Sequence, residues 1–255
     1  MENIYYQSFD GKELEIHMYY PDDWKADDER GLVIFFFGGG WTGGSVQQFE
    51  PQAKELARLG IVTALPQYRV LSRDGSSIEV AVQDAIHCVS HMYENAEQYG
   101  VDKKKIVLSG GSAGAHLAVS SVLLKHFIPK EFRYADDIKG LMLCNPVLDT
   151  VEFGHRAQAI QQSEYDSEQF SPLHHLGNRL PDTIIFQGIE DTTVPVETAR
   201  AFGEQAVKMG YRCEVVEFAD EKHGFFNLRK DQIKEYYDVL GYMVQFLYDH
   251  EMIAI

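Results

Sequence analysis

The chain is short of several things, and each shortage excludes a class of function. It has three cysteines in 255 residues, Cys88, Cys144 and Cys213, an odd number with no C-x-x-C pair. That argues against a disulfide framework, a zinc ribbon or a dithiol redox site and leaves buried free thiols. Basic residues are outnumbered, 23 against 39 acidic, for a formal charge of -16 and a pI near 5.0. Such a balance disfavours nucleic-acid backbones and anionic membrane surfaces as partners. No apolar run approaches the ~18 residues of a membrane span. The start, Met1-Glu2-Asn3-Ile4-Tyr5-Tyr6, lacks the basic-then-apolar order of a signal peptide, so a cytoplasmic location is the expectation. Internal repeats, low-complexity tracts and linkers are missing too, which leads us to expect one domain over residues 1–255.

Strand-like and helix-like segments alternate. Ile4 to Phe9 and Glu13 to Tyr20 flank Asp10-Gly11, a hairpin signal. Gly31 to Phe37 is uniformly apolar, as a parallel strand covered on both faces would be. Further strands are expected at Ile61–Leu65, Lys105–Leu108, Gly140–Cys144, Thr183–Gln187 and Arg212–Phe218. Helices are expected at Phe49–Leu59, Ser77–Tyr99 (capped by Ser76 or Ser77), Ala113–Leu124, 196–209 and Arg229–His250. Residues 150 to 180 show no long periodicity and fit short helices forming a small cap. The pattern is α/β, with a mostly parallel sheet and helices on both faces.

Three stretches carry chemistry. Gly38-Gly39-Gly40-Trp41 follows a central strand, where so much backbone freedom is costly unless something must approach closely. A phosphate loop fits it less well, because no Gly-Lys-Ser/Thr follows and the G-x-G-x-x-G spacing is not met. Gly110-Gly111-Ser112-Ala113-Gly114 fits G-x-S-x-G between a strand and a helix, the turn that lifts a serine hydroxyl above a sheet. Asp191 and His223 follow the next-to-last and last strands. Loops at the carboxyl ends of parallel strands gather on one side of the sheet, so these residues are expected to meet there. A serine hydroxyl needs a base, and the base needs a carboxylate to fix its tautomer. The order Ser, Asp, His suits this arrangement. Asp149 also follows a strand and rivals Asp191; Asp220 reads as a loop cap. His116 reads as buried packing, and His174-His175 lack further metal ligands. Asp84 and His87 are expected to bond into the core rather than face the site.

These motifs resemble α/β-hydrolases of the esterase/lipase type related to hormone-sensitive lipase and to small carbohydrate acetyl esterases. The resemblance runs from about residue 13 onward. It implies an α/β-hydrolase fold, Ser112 as nucleophile, His223 as general base and then acid, and Asp191 as orienting acid. It places the oxyanion hole at the N–H groups of Gly39, Gly40 and Ala113. No metal or organic cofactor is implied, because the triad carries the acyl transfer. One departure stands out: the family usually writes His-Gly-Gly-Gly, and Phe37 occupies the histidine position. Trp41, Tyr68, Tyr165 and Phe170 are expected pocket walls. The implied substrate is a small short-chain ester, in the leading reading an acetylated saccharide. A formamidase of the N-formylkynurenine type shares the frame. A peptidase, or a ligand-binding protein that has given up catalysis, would fit it less well. Nothing in the sequence sets the oligomeric state.

Overall fold

The computed structural model describes residues 1–153 and 157–253. Its strands are β1 (Glu2–Gln7), β2 (Glu13–Tyr19), β3 (Arg30–Phe36), β4 (Val62–Pro66), β5 (Val101–Gly111), β6 (Gly140–Cys144), β7 (Asp182–Gly188) and β8 (Cys213–Phe218). They form one sheet in the order β1-β2-β4-β3-β5-β6-β7-β8. The β1–β2 hairpin and the β2–β4 pair are antiparallel, and every pair from β4 to β8 is parallel. This is the α/β-hydrolase architecture. The central strands β3, β4 and β6 are buried almost throughout, as their Val, Ile, Leu and Phe content requires of strands covered on both faces. By contrast, β8 at the sheet edge is only partly buried.

The helices are α1 (Glu50–Arg58), α2 (Leu71–Asp74), α3 (Ile78–Glu94), α4 (Ala113–Leu123), α5 (Thr150–Phe153), α6 (Gln158–Gln161), α7 (Val196–Lys208) and α8 (Ile233–Asp249). Their apolar stripes close over the sheet in one cluster that includes Phe35, Phe49, Leu56, Ile86, Leu117 and Met243.

The helix expected over 77–99 breaks at Asn95, whose side-chain amide donates to the His91 carbonyl at 2.8 Å. A separate 3-10 turn covers Ala96–Tyr99, and the Trp24 indole donates to the Tyr99 carbonyl at 3.0 Å. A contact with a distant loop thus replaces the last helical turn. Neither serine caps α3 through its side chain: Ser77 makes no such bond, and the buried Ser76 hydroxyl has no partner among the described residues. The last helix starts at Ile233 rather than near Arg229, because Gln232 turns aside to bond Glu221 at 3.1 Å. The 150–180 stretch does form short elements, α5, α6 and turns at Ser167–Phe170 and Pro172–His175; 154–156 lie outside the described residues.

An ion-pair network locks the hairpin to the frame. Arg69 grips buried Asp84 of α3 through Nη2 at 2.6 Å and Nε at 3.0 Å, and reaches Asp10 at 2.6 Å. Ser8 donates to the same Asp84 carboxylate. Asp84 therefore bonds into the core, as expected. Burial disfavours the charged imidazole of His87, which packs near Phe9 and Phe132.

Candidate active site

Ser112 stands between β5 and α4 with φ 54 and ψ -117, a conformation costly for any residue with a side chain. The surroundings fix it. Its N–H donates to the Cys144 carbonyl at 2.8 Å, and its carbonyl accepts from the His116 N–H at 3.0 Å, the first turn of α4. That helix points its positive end at the serine. Gly114 permits the turn: a Cβ there would stand 2.1 Å from the Phe36 carbonyl oxygen and 2.3 Å from that of Phe37.

The glycine loop lies directly against this elbow. A Cβ at Gly38 would come 2.7 Å from the Gly111 carbonyl oxygen. Gly39, Gly40 and Trp41 have φ of 133, 61 and 55, so the chain coils tightly. The Thr42 and Gly43 N–H groups both donate to the Gly39 carbonyl, at 3.0 and 3.1 Å. Gln48 accepts from the Gly38 N–H at 2.6 Å and anchors the loop from outside. Among the described residues, the N–H groups of Gly39 and Gly40 have no acceptor.

Asp191 and His223 meet as the strand order requires. His223 Nδ1 lies 2.7 Å from Asp191 Oδ2. The Asp191 side chain is fully buried, and its other acceptor sites are filled. Oδ1 accepts the Thr193 and Val194 N–H groups, each at 2.9 Å, and Oδ2 also accepts from Gln187 at 3.2 Å. With the carboxylate held this way, the imidazole presents its other nitrogen outward. Ser112, His223, Gly38, Gly39 and Gly40 line one cavity of about 340 Å³.

The expected pocket walls are placed elsewhere. Trp41 and Tyr68 are buried in the core, Trp41 edge-on to His116 and Phe153. Phe170 is buried and stacked on Phe127; Tyr165 is 48% exposed and packs against the same two rings. None of the four lines the cavity that holds Ser112. The walls are instead Phe153, Phe226, Thr193, Gln48, Asn227 and Arg229. Only proximity to Asp191 and His223 in the chain could have pointed to Thr193 and Asn227. The second unforeseen part is Asn145, at φ 44, whose Oδ1 accepts from the Gly224 N–H at 2.9 Å and fixes the histidine loop.

The rivals have other work. Asp149 Oδ1 accepts the Val151 and Glu152 N–H groups at 2.9 and 3.2 Å, capping α5. His116 is buried, with Nε2 2.7 Å from the Phe170 carbonyl, and burial lowers its pKa to about 4. His174 and His175 each bond Ser171. Burial pushes the Cys213 thiol up to about 12 and raises those of Cys88 and Cys144 as well, so none is a ready nucleophile. No helix among the described residues is long and apolar enough to cross a membrane.

A family model described as BD-FAE matches residues 16–138. A probable isoprenylcysteine alpha-carbonyl methylesterase of Arabidopsis thaliana is 27% identical over 217 residues, 75% of this chain and 45% of that protein. An endo-1,4-beta-xylanase B of Butyrivibrio fibrisolvens is 26% identical over 187 residues, 69% of this chain and 29% of its own. The chain spans about half the length of the first plant methylesterases it matches. Coverage is near complete in a solved structure, Thermogutta terrifontis esterase 2 phosphoramylated by tabun. It has TM-score 0.91 and 37% identity, covering 100% of this chain and 96% of that one. The same esterase has been solved with propionate bound, with butyrate bound and phosphorylated by paraoxon. Identity of this level along a whole esterase chain, on the same fold, means that the protein belongs to the esterase/lipase family of α/β-hydrolases, of the type related to hormone-sensitive lipase.

Proposed function

We propose that the chain is a serine carboxylic ester hydrolase for short acyl groups, with acetylated saccharides as its substrate class. The observation that carries the reading is the 2.7 Å contact between His223 Nδ1 and a saturated, buried Asp191, opening on the cavity that holds Ser112 at its strained turn.

In this reading Ser112 Oγ attacks the ester carbonyl while His223 Nε2 takes its proton, and Asp191 holds the imidazole and stabilises its cation. The negative charge that develops on the carbonyl oxygen meets the N–H groups of Gly39, Gly40 and Ala113. Losing one such donor typically costs about 3 kcal/mol of transition-state stabilisation. His223 then protonates the departing alkoxide, leaving an acyl group on Ser112. Water, deprotonated by the same histidine, releases the acid.

Short acyl chains are favoured by the modest cavity and by the propionate and butyrate bound to the Thermogutta esterase. Reaction of that esterase with paraoxon and tabun supports a nucleophilic serine here. The saccharide part rests on the resemblance and on the xylanase relative. Aromatic stacking on a sugar ring would fall to Phe153 rather than to the four aromatics expected from sequence, since Phe226 is buried and stacked on Phe49. The formamidase reading is not favoured, since the relatives and structural neighbours are esterases.

The test is hydrolysis of p-nitrophenyl esters from acetate to octanoate by wild type and Ser112→Ala, followed by acetylated xylo-oligosaccharides. We expect a maximum at the shortest chains, loss in Ser112→Ala, and paraoxon inactivation with the phosphoryl group on the Ser112 peptide. Folded wild type that turns over no ester would sink the reading. Turnover of simple esters without acetate release from the oligosaccharides would remove its saccharide part.

A further inference from the structure

Arg229, an exposed residue, lines the cavity that holds Ser112. Its guanidinium Nη2 is 3.6 Å from where a Cβ on Gly224 would stand, so it lies beside the residue that follows His223. No carboxylate among the described residues pairs with it. Six described arginines, Arg30, Arg58, Arg69, Arg73, Arg200 and Arg212, each pair with an acidic side chain, whereas Arg133, Arg179 and Arg229 do not; of these three only Arg229 lines the cavity that holds Ser112. Among the described residues that line the cavity, Arg229 carries the only permanent charge. Two acidic side chains of the neighbouring loops are already engaged, Asp191 by four hydrogen-bond donors and Glu221 by Gln232. The chain as a whole, at -16, repels anions. A lone guanidinium at the catalytic mouth is therefore a local exception to the global field.

Its position gives the side of the substrate it would meet. In the proposed mechanism the oxyanion side of the cavity is that of the free Gly39 and Gly40 N–H groups, and His223 faces the departing oxygen. Gly224 and Asn227 continue from that histidine, with the Asn227 amide bonded to the Gly224 carbonyl at 2.8 Å. Arg229 lies beside Gly224, on the His223 side of the cavity, which in the proposed mechanism is the alcohol side. We propose that Arg229 is a specificity-determining residue that selects esters whose alcohol moiety carries a carboxylate, held by a charge-assisted and sterically permitted two-pronged contact. This rests on the reading of Ser112 as the nucleophile. The shared chemistry fits two sources, a small hydroxy acid or an acidic sugar unit.

The experiment measures kcat/KM for 4-acetoxybenzoate and for its neutral counterpart 4-acetoxybenzamide, with wild type, Arg229→Gln and Arg229→Lys. The ratio of the two substrates within each protein is the readout, which normalises any general change in the variant. We expect the anion-to-neutral ratio to fall about fivefold in Arg229→Gln, mainly through KM, and to recover in part in Arg229→Lys. Salt at about 0.5 M should shrink the wild-type preference. A second pair, acetylated oligogalacturonate against acetylated xylo-oligosaccharide, separates the sources. An Arg229-dependent preference there assigns an acidic saccharide, and one confined to the benzoate pair assigns a small hydroxy acid. An unchanged ratio in Arg229→Gln, with the neutral ester still hydrolysed, overturns the proposal alone. Failure of wild type to hydrolyse either acetate overturns it together with the catalytic reading.

Discussion

The Tyr68 hydroxyl donates to the Phe37 carbonyl at 2.7 Å, and the two rings stack with centroids 4.0 Å apart and planes 16° from parallel. Phe37 is the residue that replaces the histidine usually found before the glycine run. The pair thus braces the loop by stacking and by one buried hydrogen bond, where a histidine would brace it with a polar ring. Burial pushes the Tyr68 phenol well above its ordinary pKa, which keeps it a donor at every working pH.

Tyr68→Phe should keep the stack and lose the bond, leaving the Phe37 carbonyl buried without that donor. We expect a stability loss of about 1 kcal/mol in urea titration. If the brace holds the glycine loop, kcat should fall while KM stays near the wild-type value. An unchanged kcat would mean that the stack alone suffices.

Asp191→Asn tests the orienting acid. Its amide can still fill the space, but one of its ends must donate where the carboxylate accepted, favouring the wrong imidazole tautomer. The expected loss in kcat is about four orders of magnitude, by analogy with other triads. Steady-state kinetics on p-nitrophenyl acetate would read it, with circular dichroism to show that the fold persists.

Gly114→Ala places a methyl group against two backbone carbonyls at 2.1 and 2.3 Å, and neither can swing away as a side chain would. The end of β3 or the start of α4 must shift. A drop of roughly 3 kcal/mol in stability is expected, visible as a lower melting temperature, with activity falling further than stability explains.

The buried ion pair gives an asymmetric forecast. Asp84→Ala leaves Arg69 with only the partly exposed Asp10 as its ion-pair partner and should cost about 3 kcal/mol. The double variant Asp84→Leu with Arg69→Met removes both charges and should recover much of that loss. Denaturant midpoints of the two proteins would check it; equal loss in both would show that packing, not charge, sets the cost.

Acid stability should carry the signature of His116. Its pKa is lowered from 6.5 to about 4 by burial, so between those values the unfolded chain binds a proton that the folded chain refuses. Stability is therefore unaffected by this group above about pH 6.5 and declines as pH falls toward 4, by about 3 kcal/mol in full. Urea midpoints from pH 7 to pH 4 should fall less steeply in His116→Gln than in wild type.

Most of the fold and the Ser112, Asp191 and His223 cluster were legible in the chain, because short-range rules govern both. Apolar runs bounded by glycine mark buried strands, and a parallel sheet delivers their following loops to one side. Legibility ended where a residue's role depends on partners far away in sequence. Asn95 ends its helix early because Trp24, seventy-one positions earlier, bonds the following turn. Trp41, Tyr68 and Phe170 have the composition of a pocket wall, yet they are buried in the core, since an aromatic ring fits a core and a cleft equally well. Phe153, Asn145 and Arg229 carried no local signal at all. The sequence by itself determined the order of elements and the chemistry available; only the tertiary structure decided which side chains face the cavity, because facing is set by packing between elements and not by the pattern within one.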